Sequence, residues 1–325
     1  MTDLEDIEAA ASRLSGIRVL TPLLRNAELD RAAGGTVLVK PECLQVTGSF
    51  KIRGAYNFLS QLSPEQARHG VVAWSSGNHA QGVAAAGGML GIPTAIVMPE
   101  DAPRAKLSNT RRLGGEVITY DRYTGDREAI ARGIAAERGA AVVPSYDHDD
   151  IIAGHGTVGL EIAEQSLEME LPADQVLICC GGGGLTAGSA IALQARLPDA
   201  TVHTVEPEEF DDTARSLELG KRVTVSDSAR SICDALQAHT PGKLTFEINR
   251  RLLGPGLCVS DDEVRDAMRF AFRNLKLVVE PGGAVALAAV LSGKIETQGR
   301  TTAIVLSGGN VDVELFAEVQ RAASG

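Results

Sequence analysis

Five apolar residues, Val176-Leu177-Ile178-Cys179-Cys180, run directly into four glycines and Leu185. An unbroken apolar run this short reads as a strand covered on both faces, as in parallel sheet. The glycines strip the following turn of side chains, so its backbone N–H groups can close on a ligand. At a helix start such a turn attracts an anion.

The same alternation runs along most of the chain. Segments 36–40, 71–74, 94–98, 116–120, 141–143, 201–205 and 303–306 read as strands. Helices are predicted over 3–14, after the lysine stretch through Ala55, Phe58 and Leu59, and over 104–113, 127–138 and 156–164. Ser63 with Gln66, and Ser260 with Glu263, have the spacing of capping boxes. Strands alternating with helices predict an α/β fold of mainly parallel sheet flanked by helices.

Composition narrows the function classes. With 44% hydrophobic and 22% charged residues in 325, the chain reads as a globular enzyme core. A net charge of −11 argues against nucleic acid or an anionic membrane as partner. The apolar stretch 278–291 is broken by Glu280, Pro281 and two glycines, so no membrane span is expected. Five cysteines, without a Cys-x-x-Cys, suit free thiols in a reducing, cytoplasmic setting. The acidic, helix-like beginning does not read as a signal peptide.

The stretch Thr47-Gly48-Ser49-Phe50-Lys51-Ile52-Arg53-Gly54-Ala55 sets a primary amine beside an aromatic ring, a hydroxyl and two glycines. A lysine kept neutral in an apolar pocket attacks carbonyls and forms Schiff bases. A second glycine-bearing turn, Ser75-Ser76-Gly77-Asn78-His79-Ala80-Gln81-Gly82, stands downstream. An aldehyde that also carries a phosphate would suit both the lysine and the glycine cradle, which makes pyridoxal phosphate (PLP) the expected cofactor.

Together with Ala153-Gly154-His155-Gly156-Thr157, Glu280-Pro281-Gly282-Gly283-Ala284 and Ser307-Gly308-Gly309-Asn310, these stretches resemble, in this order, the PLP-dependent enzymes of the tryptophan synthase β-subunit fold (fold type II). Within them the chain is similar to the threonine/serine dehydratase and serine racemase branch, over nearly its whole length. The absence of a regulatory domain after Gly325 resembles the unregulated or catabolic members. The resemblance implies a large PLP-binding domain from 1–68 and 148–325, a small inserted domain over 69–147, and PLP in the cleft between them. It implies a homodimer.

The resemblance also assigns roles. Lys51 would join the cofactor aldehyde, with Phe50 beside the ring. Gly181, Gly182, Gly183, Gly184 and Leu185 would surround the phosphate, Asn78 would bond the ring hydroxyl, Ser307 would face the ring nitrogen, and Glu280 would complete the cofactor site. Ser75, Gly77 and His79 would hold the substrate carboxylate. Ser76 stands where racemases carry a second acid/base, Tyr146 where dehydratases carry an aromatic residue, and Arg127 within reach of a second substrate carboxylate. Glu206, the Phe210 carbonyl and Asp212 match the Mg²⁺ or Ca²⁺ ligands of cation-dependent members.

Three departures stand out. His155 replaces a usual Gln, Ser231-Ile232-Cys233-Asp234-Ala235 replaces an Ala-Asp-Gly pattern, and Gly282 replaces a frequent Ser. Cys233 and Ala235 are expected beside the ring and the substrate side chain. The expected activity is a dehydratase (ammonia-lyase) that converts a β-hydroxy amino acid, L-threonine or L-serine first, to a 2-oxo acid and ammonia. The alternatives are serine or aspartate racemase, a dehydratase for 3-hydroxyaspartate or phenylserine, a protein that holds PLP without turnover, and a transferase of the cysteine synthase type.

Overall fold

A computed structural model describes residues 1–321 apart from 76, 103, 122 and 123, and apart from the side chains of 104 and 105. Its strands are β1 Leu24–Arg25, β2 Thr36–Lys40, β3 Val71–Trp74, β4 Thr94–Pro99, β5 Glu116–Tyr120, β6 Ala141–Val142, β7 Gln175–Cys179, β8 Thr201–Pro207, β9 Leu257–Val259 and β10 Thr301–Val305. Its α-helices are α1 Leu4–Arg13, α2 Ala27–Ala33, α3 Lys51–Leu59, α4 Pro64–His69, α5 Asn78–Leu90, α6 Arg104–Arg112, α7 Arg127–Arg138, α8 Asp149–Glu168, α9 Gly184–Arg196, α10 Asp212–Leu219, α11 Lys243–Leu252, α12 Asp261–Phe270, α13 Pro281–Leu291 and α14 Val313–Arg321.

The strands form two sheets. One has the order β1-β2-β10-β7-β8-β9, parallel except for β1, and the other is β5-β4-β3-β6, parallel throughout. Val176, Leu177 and Ile178 of β7 are fully buried, as a strand with helices on both faces requires. In an open parallel sheet, ligands collect at the carboxyl ends of the strands. Here β2, β10 and β7 are neighbours, with Ile304 paired to Val39 on one side and to Leu177 on the other. Their carboxyl ends therefore deliver the lysine stretch, the Ser307 turn and the glycine turn to one place.

Helix α3 bridges the two halves. Ile52, Ala55, Phe58 and Leu59 enter the apolar cluster of the four-stranded sheet with Val71, Val83 and Ile96. Its other face meets α8. Helix α8 is longer than the sequence reading, which begins it at 156. Its glycines serve close helix packing rather than a turn: a Cβ on Gly159 would stand 2.5 Å from the Ser189 carbonyl oxygen of α9.

Behind Lys51 lies a buried ionic network. Arg53 is fully buried, and its guanidinium makes two-pronged contacts with Glu42 (2.7 and 2.8 Å) and with Glu161 (2.6 and 2.8 Å). Lys40 and Arg18 also reach Glu161, at 2.7 and 2.6 Å, and Thr21 donates to Glu42. Burial alone would push the Glu161 carboxyl up, but Arg53 and Lys40 hold it down at about 2. Desolvation lowers the Lys40 amine despite its two carboxylate neighbours.

Candidate active site

Lys51 is the first residue of α3, after Phe50. The lysine stretch is stitched to the turn after β10: Phe50 N–H donates to the Ser307 carbonyl (3.1 Å), Gly309 N–H to the Gly48 carbonyl (2.8 Å) and the Asn310 side chain to the Thr47 carbonyl (2.8 Å). The Lys51 amine donates to the Ser145 carbonyl at 2.9 Å and lies 4.9 Å from the centre of the Phe50 ring. Desolvation lowers its pKa to about 8, with only the Cys179 thiol opposing. Half of this amine is thus in its nucleophilic form near pH 8, against ~10.4 for an ordinary lysine. Borohydride trapping of pyridoxal on peptide 51 of the ligand-free protein is therefore expected to rise with pH to a midpoint near 8. A midpoint at the ordinary lysine value would refute the desolvated amine.

Two helices near the lysine stretch begin without a side-chain cap: α5, whose Gly82 packs on Lys51, and α9, whose glycine turn packs on Tyr146 beside Ser145. Helix α9 starts after Gly183, whose φ of +93° suits glycine, and no side chain caps it. Its first N–H groups are free for an anion. A Cβ on Gly182 would lie 2.3 Å from the Tyr146 ring, and one on Gly184 2.9 Å from Tyr146 Cβ, so the turn admits no side chain at either position. Helix α5 likewise begins at Gly77–Asn78 without a side-chain cap, and Ser75 Oγ accepts the Gly77 N–H at 3.1 Å. A phosphate at the first end and a carboxylate at the second suit these donors.

Asn78 is tied on both sides: its Nδ2 donates to Glu280 Oε1 at 2.5 Å, and its Oδ1 accepts from Asn310 at 2.7 Å. Burial and nearby Asp234 raise the Glu280 carboxyl to about 7. Lys106 of α6 bonds Asp234 at 2.7 Å, which joins the small-sheet side to the 231–236 loop. That loop packs on Gly181 and Gly282 through Ala235 and Leu236, while Cys233 is wholly buried in the apolar core.

Other residues singled out from sequence fall less centrally. The His79 ring contacts the Val143 carbonyl at 3.2 Å, and burial together with the nearby Lys51 charge depresses its pKa to about 3. Its ring is turned to that carbonyl, and its backbone N–H belongs to the first turn of α5. Arg127 is exposed at the start of α7. Burial raises the Tyr146 phenol, as do Asp147 and Asp212, while Arg127 is near enough to act against this. Ser76 lies outside the described residues.

At the end of β8, Glu206 accepts the Thr213 and Ala214 N–H groups at 3.0 and 2.7 Å, capping α10. Asp212 beside it is fully buried, and neither of its carboxylate oxygens has a partner. Burial lifts both carboxyls, Asp212 to about 7. A buried carboxylate pair in which both Asp212 oxygens are orphaned would suit a hard cation. Among the described residues no group of three or more His, Cys, Asp or Glu side chains could hold a metal ion, and a set of two carboxylates and a carbonyl does not require one.

Ser145 and Asp147 carry no sequence signal: the first acts through its backbone carbonyl and the second caps a distant helix.

Between residues 14 and 308 the chain matches the family model described as pyridoxal-phosphate dependent enzyme. The chain belongs to this family. It is 43% identical to the L-threo-3-hydroxyaspartate ammonia-lyase of a Pseudomonas species, over 98% of each chain. It is 40% identical to the serine racemase of Schizosaccharomyces pombe, over 96% of this chain and 95% of the relative. The structure of maize serine racemase superposes with a TM-score of 0.92 at 36% identity, covering 98% of this chain and 96% of the other. The fold is that of the type II PLP enzymes, as the sequence resemblance implied. The glycine turn, the free α9 end and the desolvated lysine suit the cofactor of this family. No helix among the described residues is long and apolar enough to cross a membrane.

Proposed function

We propose that the protein is a PLP-dependent ammonia-lyase that removes water and then ammonia from a β-hydroxy amino acid, L-threonine or L-serine first, to give a 2-oxo acid. The observation that carries this reading is the Lys51 amine, partly deprotonated near neutrality and held on the Ser145 carbonyl, in a chain that also offers one free helix end suited to a phosphate and another suited to an amino acid carboxylate. PLP, when bound, supplies an aldehyde for the lysine and a conjugated ring that accepts the electron pair left on the substrate Cα.

In this reading Lys51 Nζ takes the proton from Cα as general base. The Gly77–His79 turn orients the carboxylate through its amides, with Ser75 bracing the turn. Gly181–Gly184 and Leu185 would enclose the phosphate, Asn78 and Glu280 would hold the ring hydroxyl side, and Phe50 would pack on the ring. Ser307, a neutral partner for the ring nitrogen, favours prompt loss of the β-hydroxyl over a long-lived carbanion. Tyr146 lines the substrate side. Glu206, the Phe210 carbonyl and Asp212 would hold Mg²⁺ or Ca²⁺, a role supported by the unpartnered Asp212 oxygens.

A second reading is 3-hydroxyaspartate as substrate, with Arg127 taking the extra carboxylate; the 43% identical relative that acts on it favours this one. Racemisation with Ser76 as second acid/base is a third. The division into 1–68 with 148–325 and an inserted 69–147 is proposed as well, supported by the second sheet lying between Val71 and Val142. A homodimer is proposed from the family resemblance, and a cytoplasmic setting is supported by five free cysteines.

The test is a panel of β-hydroxy amino acids assayed for 2-oxo acid and for chiral product, with and without chelator. The expected result is 2-oxo acid from threonine or serine and a loss of activity on chelation that Mg²⁺ or Ca²⁺ restores. Inverted amino acid without 2-oxo acid would replace the lyase reading with the racemase one, and turnover confined to 3-hydroxyaspartate would reassign the substrate. Activity indifferent to chelator would remove the cation.

A further inference from the structure

The segment between β6 and α8 is engaged at three successive residues. The Ser145 carbonyl accepts from Lys51, and the Tyr146 ring lies against Gly182. Asp147 reaches a helix it does not belong to. Its Oδ2 accepts the Lys243 N–H at 3.0 Å, and its Oδ1 accepts those of Leu244 and Thr245 at 2.9 and 3.1 Å. These are donors of the first turn of α11, whose own N-cap, Gly242, has no side chain to satisfy them.

The same turn of α11 grips the glycine turn. Thr245 Oγ1 donates to the Gly182 carbonyl at 2.7 Å, and the Gly242 N–H donates to that carbonyl at 3.2 Å. One helical turn on, Asn249 donates to Thr186 Oγ1 at 3.1 Å, and Thr186 donates to the Gly183 carbonyl at 2.8 Å. A peptide group is planar, so a fixed Gly182 carbonyl fixes the Gly183 N–H on its opposite edge.

We propose that Asp147 is a positioning residue: by capping α11 it sets the direction of the Gly182–Gly183 peptide, and with it the affinity of the turn for a phosphate monoester. The inference rests on the reading that Gly181–Gly184 takes the cofactor phosphate. Its carboxylate oxygens are occupied by three N–H groups, and a carboxylate would repel a phosphate, so its action is through the helix rather than by contact.

Two probes separate this role from general stability. PLP and pyridoxal share the aldehyde and ring, and only PLP has the phosphate. Each is titrated into ligand-free parent, D147A, D147N and T245V, with the visible absorbance of the lysine-linked probe as readout. D147A is expected to bind PLP about five- to tenfold more weakly, the size of a lost helix cap, with pyridoxal affinity unchanged. D147N keeps an oxygen for Leu244 and Thr245 and is expected within about threefold of the parent. T245V leaves Asp147 in place, removes the hydroxyl on Gly182, and is expected to narrow the PLP-to-pyridoxal ratio in the same direction, which covers the case of a D147A that fails to fold.

A parent that prefers PLP, alongside variants that keep the full preference, overturns the inference alone. Equal losses for both probes overturn it too, since the effect would not pass through the phosphate. A parent that binds PLP and pyridoxal alike overturns the phosphate reading of the turn and the inference with it.

Discussion

Lys51→Ala is expected to lower turnover of every amino acid substrate by at least about 10⁴-fold, because one side chain supplies both the covalent anchor and the base. The variant is also expected to lose the visible absorbance of lysine-linked PLP. Its fold should not suffer. The native pKa of Lys51 is about 8, below that of an exposed lysine. The charged amine therefore weighs against the folded state below pH 8, and that penalty fades as the pH rises from there to ~10.4. Removing it should leave the thermal midpoint of the ligand-free protein, measured at neutral pH, at or above that of the parent. Substantial 2-oxo acid formation by the variant would assign the chemistry to another group.

Arg53→Met is expected to do the opposite, with a large loss of stability. It would leave Glu42 and Glu161 buried without the guanidinium that now bonds each of them twice. Breaking such a buried pair from one side costs about 3–5 kcal/mol, because the charge left behind is uncompensated. Urea denaturation of the ligand-free protein measures it, and a loss below about 1 kcal/mol would mean that Lys40 and Arg18 suffice. Acid should have a related effect on the parent. Glu161 holds its proton less tightly folded, at about 2, than unfolded, at ~4.3. Its contribution is complete above the unfolded value and disappears as the pH falls through the folded one.

Much of the architecture was legible because many of its strands are short apolar runs closed by glycine or proline and several of its helices carry local caps. The boxes at Ser63 and Ser260 stand as read. What escaped was whatever periodicity cannot report. Helix α13 is apolar on every side and buried on every side, so it has no face to read. Helix α8 was read only from 156, because Gly154 and Gly156, close-packing positions within the helix, mask its first turns. Helix α11 is capped by a residue far from it in sequence, so no local signal marks its start. The site shows the same division. Lys51 and the glycine turn lie in compact motifs, whereas the Ser145 carbonyl and Asp147 act through geometry that only the folded chain creates.

The order of the large sheet has a consequence for biosynthesis. Among the described strands β10 is made last, yet it lies between β2 and β7. A nascent chain emerging from the ribosome carries Lys51 and all four glycines long before the strand that joins them exists, and pairings this distant in sequence form slowly. Vitamin B6 capture is therefore expected to wait for β10, and a product truncated before Thr301 is expected to retain none.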